Sequence, residues 1–407
     1  MFRSAALLCM GLAFTACSTD ENEEPNASPE TRAMTQEEFV EAGNDFGFNL
    51  LRDVAAVNNG NGFVLSPLSV TYALGMLNEG ARDETRQEIM KVLGFEGVPA
   101  SAINELCCDI MKKAPLLDEN VELNLANGVF LDEPLKLQEG YRQTLSQYYD
   151  AEAHVLNFGE QASLDYINNW CSQKTQGMIP EVLDVLSGFC YLINAIYFKA
   201  DWTYSFNPEL TQPGPFFKTA NQRVEVPFMH SELKTEYTET ADAQVVRMPF
   251  GNEAFGMYVL LPKDGKNPKD VLANLSTAKM AELNASMRQR DINLTLPRFT
   301  TRTHTELRVV LEKMGMQRPF HPMAQLGGII EGMKDGKLYV SSIFQDAAIE
   351  VQEEGAQAAA VTVIEIILDS GPEESDIVTF NANHPFVYLI TEKSTDAIYF
   401  AGVYAGE

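Results

Sequence analysis

Positive charge is scarce in this 407-residue chain: 30 Lys and Arg face 57 Asp and Glu, a formal net charge of -27 at pH 7. Binding nucleic acid needs clustered Lys and Arg to neutralise phosphates, so that function is excluded. The acidic surface favours solubility without naming a partner. Long apolar runs are also lacking, since Ala5–Phe14 is about half the ~20 residues that a membrane-spanning helix requires. Histidine is sparse, and His154, His230, His304, His321 and His384 show no metal-ligand spacing, so neither a metal site nor a cofactor is expected. The chain has no G-x-S-x-G elbow, no H-E-x-x-H, no phosphate-binding P-loop and no G-x-G-x-x-G. The triplet Asp369-Ser370-Gly371 echoes a protease nucleophile, but no His and Asp context supports it. An enzyme is not expected. Six cysteines do not amount to a disulfide scaffold. Cys9 and Cys17 fall in the N-terminal segment, and the adjacent Cys107 and Cys108 have Cα atoms ~3.8 Å apart, a poor fit to bridge geometry. Cys107, Cys108, Cys171 and Cys190 are expected to be buried free thiols, because a domain of this size needs no staples.

What is present begins with a leader. Arg3 supplies a positive start, and the short apolar run ends in Phe14-Thr15-Ala16-Cys17. That ending resembles the lipobox of bacterial lipoproteins, with Phe14 where Leu is commoner. The resemblance implies a signal peptide over 1–16, acylation of Cys17 and membrane attachment through that lipid. An ordinary signal peptide cut nearby is the alternative. Residues 17–34 are polar, acidic and Pro-containing, a flexible tether with nothing to bury. Acidic residues directly after the lipid cysteine resemble a surface-export signal. The implied location is the bacterial cell envelope, as an outer-membrane lipoprotein that is periplasmic or surface-exposed.

From residue 35 to 407 there is no internal repeat and no second linker, so one domain is expected. Composition is globular, 45% hydrophobic and 10% aromatic. Helical spacing marks Glu37–Val57, Arg82–Leu93 and Leu164–Thr175. Ser66 and Pro67 read as the N-cap and first residue of another helix, with Val70, Ala73, Leu74 and Leu77 as its buried stripe. Leu192–Phe198, Phe255–Pro262, Ile292–Phe299 and Phe386–Ile390 read as strands. Helices early and strands late, without βαβ alternation, indicate an α+β fold with large, mostly antiparallel sheets.

The stretch Glu350–Gly371, "EVQEEGAQAAAVTVIEIILDSG", combines strand-forming residues with acidic flanks that suggest exposure. From Ala356, one alternating face carries Ala356, Ala358, Ala360, Thr362, Ile364, Ile366 and Leu368, all small or apolar. Small residues lead, and Gly355 gives the backbone freedom to turn before them. Two readings fit these residues: an ordinary interior strand, or an exposed segment that later enters a sheet.

"EEGAQAAA" (Glu353–Ala360) resembles the hinge of the reactive-centre loop of serpins, the conformationally trapping protease inhibitors. "NGFVLSPLSV" (Asn61–Val70), "EGARDETRQEI" (Glu79–Ile89), "INNWCSQKTQGMI" (Ile167–Ile179), "LINAIYFKADW" (Leu192–Trp202), "LPRF" (Leu296–Phe299), "LEKMGM" (Leu311–Met316) and "FNANHPFVYLI" (Phe380–Ile390) resemble further family motifs in family order. The resemblance spans nearly the whole domain. It implies three β-sheets with eight or nine helices and an exposed reactive-centre loop at about 353–379. It also implies a suicide-type inhibitor of serine, and also of cysteine, endopeptidases, which inserts the cleaved loop into the central sheet. A non-inhibitory serpin acting as a surface binding protein is the alternative.

Under the same resemblance the hinge is Glu353, Glu354, Gly355, Ala356, Gln357, Ala358, Ala359 and Ala360. Ser66, Ser69, Asn194, Trp202 and Gln345 match the region where the sheet opens. Gln345 stands where a His is usual; its amide can donate and accept, without pH sensitivity. Ala356 replaces a Thr or Ser and Gln357 a Glu, and both keep insertion easy. Counting from Glu353 puts the scissile bond at Asp369–Ser370, whereas pocket chemistry favours Ile366, Ile367 and Leu368. Reactive-bond candidates are therefore Ile367, Leu368, Asp369 and Ser370. No Lys or Arg lies between Gly355 and Phe380, so elastase-, chymotrypsin- or subtilisin-like targets are expected rather than trypsin-like ones. Lys112 and Lys113 are the only basic pair of Ala100–Lys113, so no heparin-type activation is implied, and a monomer is expected.

Overall fold

Thr35 opens the first helix. Its side chain accepts from the Glu38 N–H while the Glu38 carboxylate accepts the Thr35 N–H, a reciprocal capping box that starts α1 (Gln36–Val57). The computed structural model describes residues 32–186, 188–355 and 377–406. Cys17, the leader and most of the tether lie outside the described residues. So does the stretch 356–376, with Ala356, Gln357, Ala358, Ala359, Ala360, Ile367, Leu368, Asp369 and Ser370.

After α1 come β1 (Phe63–Leu65), α2 (Pro67–Gly80), α3 (Asp83–Leu93), α4 (Ala100–Lys113), β2 (Val121–Asp132) and α5 (Glu139–Tyr149). The middle of the chain supplies β3 (Glu152–Leu156), α6 (Gln161–Lys174), β4 (Cys190–Ala200), β5 (Gln212–Thr219), β6 (Gln222–Glu239), β7 (Ala243–Phe250) and β8 (Phe255–Pro262). The last part holds α7 (Pro268–Asn274), α8 (Thr277–Ser286), β9 (Arg288–Pro297), β10 (Phe299–Glu306), α9 (Arg308–Met314), β11 (Phe344–Val351), β12 (Val378–Asn381), β13 (Phe386–Glu392) and β14 (Ile398–Tyr404). Among the described residues these make nine α-helices and three hydrogen-bonded sheets. The expected α+β architecture, with three sheets and eight or nine helices, is what the described residues form.

The largest sheet runs β1-β14-β13-β8-β7-β6-β9-β12 with β5 paired to β6. A second is β3-β2-β4, and a third is the β10-β11 pair. Most pairings are antiparallel; β2 with β3 and β9 with β12 are parallel.

Two local expectations need correction. Ile292–Phe299 is not one strand, because β9 ends at Pro297, which has no N–H to donate, and the Arg298 N–H turns aside to the Pro227 carbonyl at 2.8 Å. The chain bends there and resumes as β10. Helix α2 is capped as expected, Ser66 Oγ accepting the Ser69 N–H at 3.3 Å with Pro67 at its first position. Its buried surface is wider than a stripe. Ser69, Thr71, Tyr72, Gly75, Met76 and Asn78 are buried too, while Ala73 is only half-buried. The helix lies mid-core against α1, α3, α5, β4 and β14, so it has almost no solvent side.

The main core lies between the helices and the large sheet. A second cluster, with Phe130, Ile167, Trp170, Ile179, Ile193, Ala195 and Ala348, seals α6 onto the outer face of β2, β4 and β11.

Candidate functional site

Strands β4 and β11 lie side by side without a ladder between them. Asn194 and Ala195 of β4 face Phe344 and Asp346 of β11 across a small cavity that Cys171 and Ile179 close from the α6 side. Further along, the Trp202 indole N–H donates to the Gln352 carbonyl at 2.8 Å. Both strands therefore run the same way, each keeping an unpaired edge toward the other. Unpaired strand edges are templates for another strand.

The core side of this gap is polar and closely tied. Gln345 Oε1 accepts the Ser66 N–H and Gln345 Nε2 donates to the Ser66 carbonyl, both at 2.9 Å. That exchange needs one donor and one acceptor on the same side chain, which the amide supplies at every pH. Ser69 Oγ donates to Asn194 Oδ1, Asn194 Nδ2 donates to Asn127 Oδ1 at 2.7 Å, and Asn127 Nδ2 donates to the Tyr149 carbonyl at 2.6 Å. Thr303 Oγ1 accepts the Val64 N–H at 2.9 Å. Buried polar groups are tolerated when satisfied in this way. Ser66, Ser69, Asn194 and Gln345, singled out from sequence, thus gather at the core side of the gap, while Trp202 stands at one end of it.

Asp346 lies on the outer face. His304 Nδ1 lies 3.0 Å from Asp346 Oδ1, while the buried Oδ2 has no hydrogen-bond partner. Burial pushes the Asp346 carboxyl above its ordinary range, against the lowering influence of His304. Burial likewise pushes the Cys171 thiol up to about 12, with Asp346 adding to it. The Glu152 carboxylate nearby is held low, first by Lys174 at 2.6 Å and also by the Trp170 indole N–H at 2.9 Å.

Beyond β11 the chain turns back. Gln352 and Gly355 exchange backbone hydrogen bonds at 3.2 Å, a two-residue turn through Glu353 and Glu354. Gly355 has φ 103°, and a Cβ there would sit 2.4 Å from Ala200 O and from Trp202 N, so only glycine fits. The Glu354 carbonyl accepts the Trp202 N–H at 3.1 Å, and the Glu353 carbonyl accepts the Phe206 N–H at 2.8 Å. The expectation of exposed acids on this flank needs correction. Glu353 is 6% exposed, paired with Arg298 at 3.2 Å and hydrogen-bonded by Thr211 at 2.7 Å. The indole of Trp202 stacks on Phe250 at 4.3 Å and fixes the β4 end of this junction.

Sequence reasoning missed Asn127, Thr211, Arg298 and Thr303. Asn127 left one trace, an amide inside the strand sequence of β2; the others gave none, because their partners are distant in sequence. The four thiols past the leader are free, but Cys108 and Cys190 depart from expectation in being only half-buried. Among the described residues no group of His, Cys, Asp and Glu could hold a metal ion, and no helix is long and apolar enough to cross a membrane.

Comparison with known proteins bears on this arrangement. Residues 41–405 match the family model described as Serpin (serine protease inhibitor). Iripin-2 of Ixodes ricinus is 34% identical over 384 residues, covering 91% of this chain and 94% of that relative. Human thyroxine-binding globulin, solved in complex with thyroxine, superposes with TM-score 0.83 at 26% identity, covering 91% of this chain and 99% of the other. Tengpin, a thermophilic serpin solved in its native state, gives TM-score 0.82 at 27% identity over 93% of this chain and 97% of its own.

Proposed function

The chain belongs to the serpin family, and we propose that it is a suicide-type inhibitor of serine endopeptidases, able to take cysteine endopeptidases as well. Its bait is the segment between Gly355 and β12, and its trap is the gap between β4 and β11; Glu353 and Val378–Thr379, expected within the loop, belong instead to the buried turn and to β12. The protease nucleophile attacks a loop carbonyl, the peptide bond breaks, and the downstream segment leaves with its new amine. The upstream segment, still esterified to the protease, then enters the gap as a strand before water releases it.

One observation carries this reading: two parallel strands with unpaired facing edges, and a chain that already turns between them at Gln352–Gly355. Extending that turn as a hairpin along β11 pairs Ile349 with Ala358, Ala347 with Ala360 and Gln345 with Thr362. Extending the Trp202–Glu354 bond along β4 independently pairs Asn194 with Thr362. Both edges thus assign the same register. The core face of the gap would receive Ala356, Ala358 and Ala360, then the Thr362 hydroxyl between two amides, then Ile364, Ile366 and Leu368. On the outer face Gln357 would lie opposite Glu350, where a Glu would set like charges against each other. Each apolar side chain so buried contributes about 1.5–3 kcal/mol, and each residue inserted carries the protease about 3.3 Å along the sheet.

Thyroxine-binding globulin, solved with thyroxine on the same fold, favours a second reading as a non-inhibitory surface binding protein. The small, uncharged hinge of Ala356, Gln357, Ala358, Ala359 and Ala360 supports inhibition instead. As to placement, the leader and Cys17 support a monomeric lipoprotein of a bacterial outer membrane, periplasmic or surface-exposed, held off the bilayer by its acidic tether.

Incubation with an elastase-, a chymotrypsin- and a subtilisin-like protease tests the function. A covalent complex that survives denaturing electrophoresis is expected, with mass spectrometry of the released peptide placing cleavage between Ile367 and Ser370. Cleavage of the loop by all three without any such complex would favour the binding-protein reading. Tight trapping of trypsin would overturn the specificity.

A further inference from the structure

A cavity of about 640 Å3 opens between the ends of α4, α5 and α6 and the outer part of β2. Its size falls in the range of small-molecule sites, roughly 300–1,000 Å3. One side is apolar, formed by Met111, Leu123, Leu125 and Tyr148. Lys112 and Lys174 bring cationic groups to the same cavity, in a protein whose formal charge is -27. The two ammonium groups are not equivalent. Lys174 is already bound to Glu152 at 2.6 Å and lies 5.6 Å from the Trp170 ring centre. Lys112 makes no ion pair with the described residues; its pKa is raised chiefly by the adjoining Cys108 thiol, with Asp109 and Asp150 contributing.

We propose that this cavity binds a small monocarboxylate with an apolar body, its carboxylate on Lys112 and its chain against Leu123, Leu125 and Tyr148. One unpaired cation suits one negative charge. A dianion would meet the Asp150 carboxylate in the same lining, and a cation would gain nothing from Lys112. The assignment is independent of the inhibitor reading, because none of the residues lining this cavity lines the β4–β11 gap.

Cys108 lines the cavity and is a built-in reporter, since Cys107 and Cys171 are buried and the half-buried Cys190 keeps its thiol protonated, pushed up to about 12. The full chain is alkylated with iodoacetamide, and the Cys108 peptide is followed by mass spectrometry. The ligands compared are decanoate below its micelle concentration, decylamine and decanol. Decanoate should slow labelling of Cys108 at least tenfold and saturably, with decylamine ineffective. Calorimetry should find one decanoate site per chain, weakened at least tenfold in Lys112→Glu. Rates with and without ligand are compared within each variant, because Lys112 itself touches the thiol. Equal protection by decylamine, protection that persists in Lys112→Glu, or no protection at all would overturn the assignment.

Discussion

Asp346 and Gln345 are neighbours on β11 with opposite fates. Gln345 points into the core and spends both ends of its amide on the Ser66 backbone. Asp346 points outward under α6, with one oxygen facing His304 and the other buried without a partner. Because burial raises its folded pKa, Asp346 binds protons more readily in the native chain than in the unfolded one. Its contribution to stability is fully present below the ordinary Asp value of about 3.9 and is lost as pH rises through the raised folded value. Replacing it with a neutral amide removes that loss. Asp346→Asn should therefore raise the thermal unfolding midpoint, measured at one scan rate, by more at about pH 7 than at about pH 4. His304 and Cys171 face the same carboxyl, so both should be kept unchanged in the comparison. A variant less stable than the parent at the higher pH would show that the His304 pair outweighs burial.

At the scale of elements, the turn at Gln352–Gly355 does two things. It anchors the loop through Glu353 to Arg298 and Thr211, and it sets the register in which a returning strand meets β11 and β4. In the proposed inserted state Ala358 and Ala360 would come over the core opposite Ile349 and Ala347, where an unpartnered charge is costly to bury. Under the proposed mechanism, Ala358→Arg or Ala360→Glu should leave loop cleavage unchanged while the denaturant-stable complex falls at least tenfold. Complex yield equal to the parent's would refute the face assignment.

Much of this architecture was legible from local chemistry. The Ser66-Pro67 start of α2 and the limits of β8 at Phe255 and Pro262 are written in neighbouring residues. Contacts that join distant segments were not. Nothing near Arg298 announces that it will pair with Glu353, and Asn127 gains meaning only when β2 and β4 align it with Asn194. The break between β9 and β10 was overlooked because Phe299 continues the apolar alternation across a proline that ends the ladder.

For the whole molecule, the proposed trap requires that the intact fold is not the most stable arrangement of this chain. Among the described residues β4 and β11 are left parted, their polar seam held by Gln345, Ser66, Ser69 and Asn194. Cleavage would free the segment after Gly355 to fill the seam, adding ladder bonds at about 1 kcal/mol each and the burial of Ile364, Ile366 and Leu368. The direct test is thermal unfolding of the intact protein against the same protein cut once between Ile367 and Gly371, with both fragments retained. Cleavage should raise the midpoint by at least about 10 °C. A cleaved form that unfolds at or below the temperature of the intact one would contradict the proposed trap.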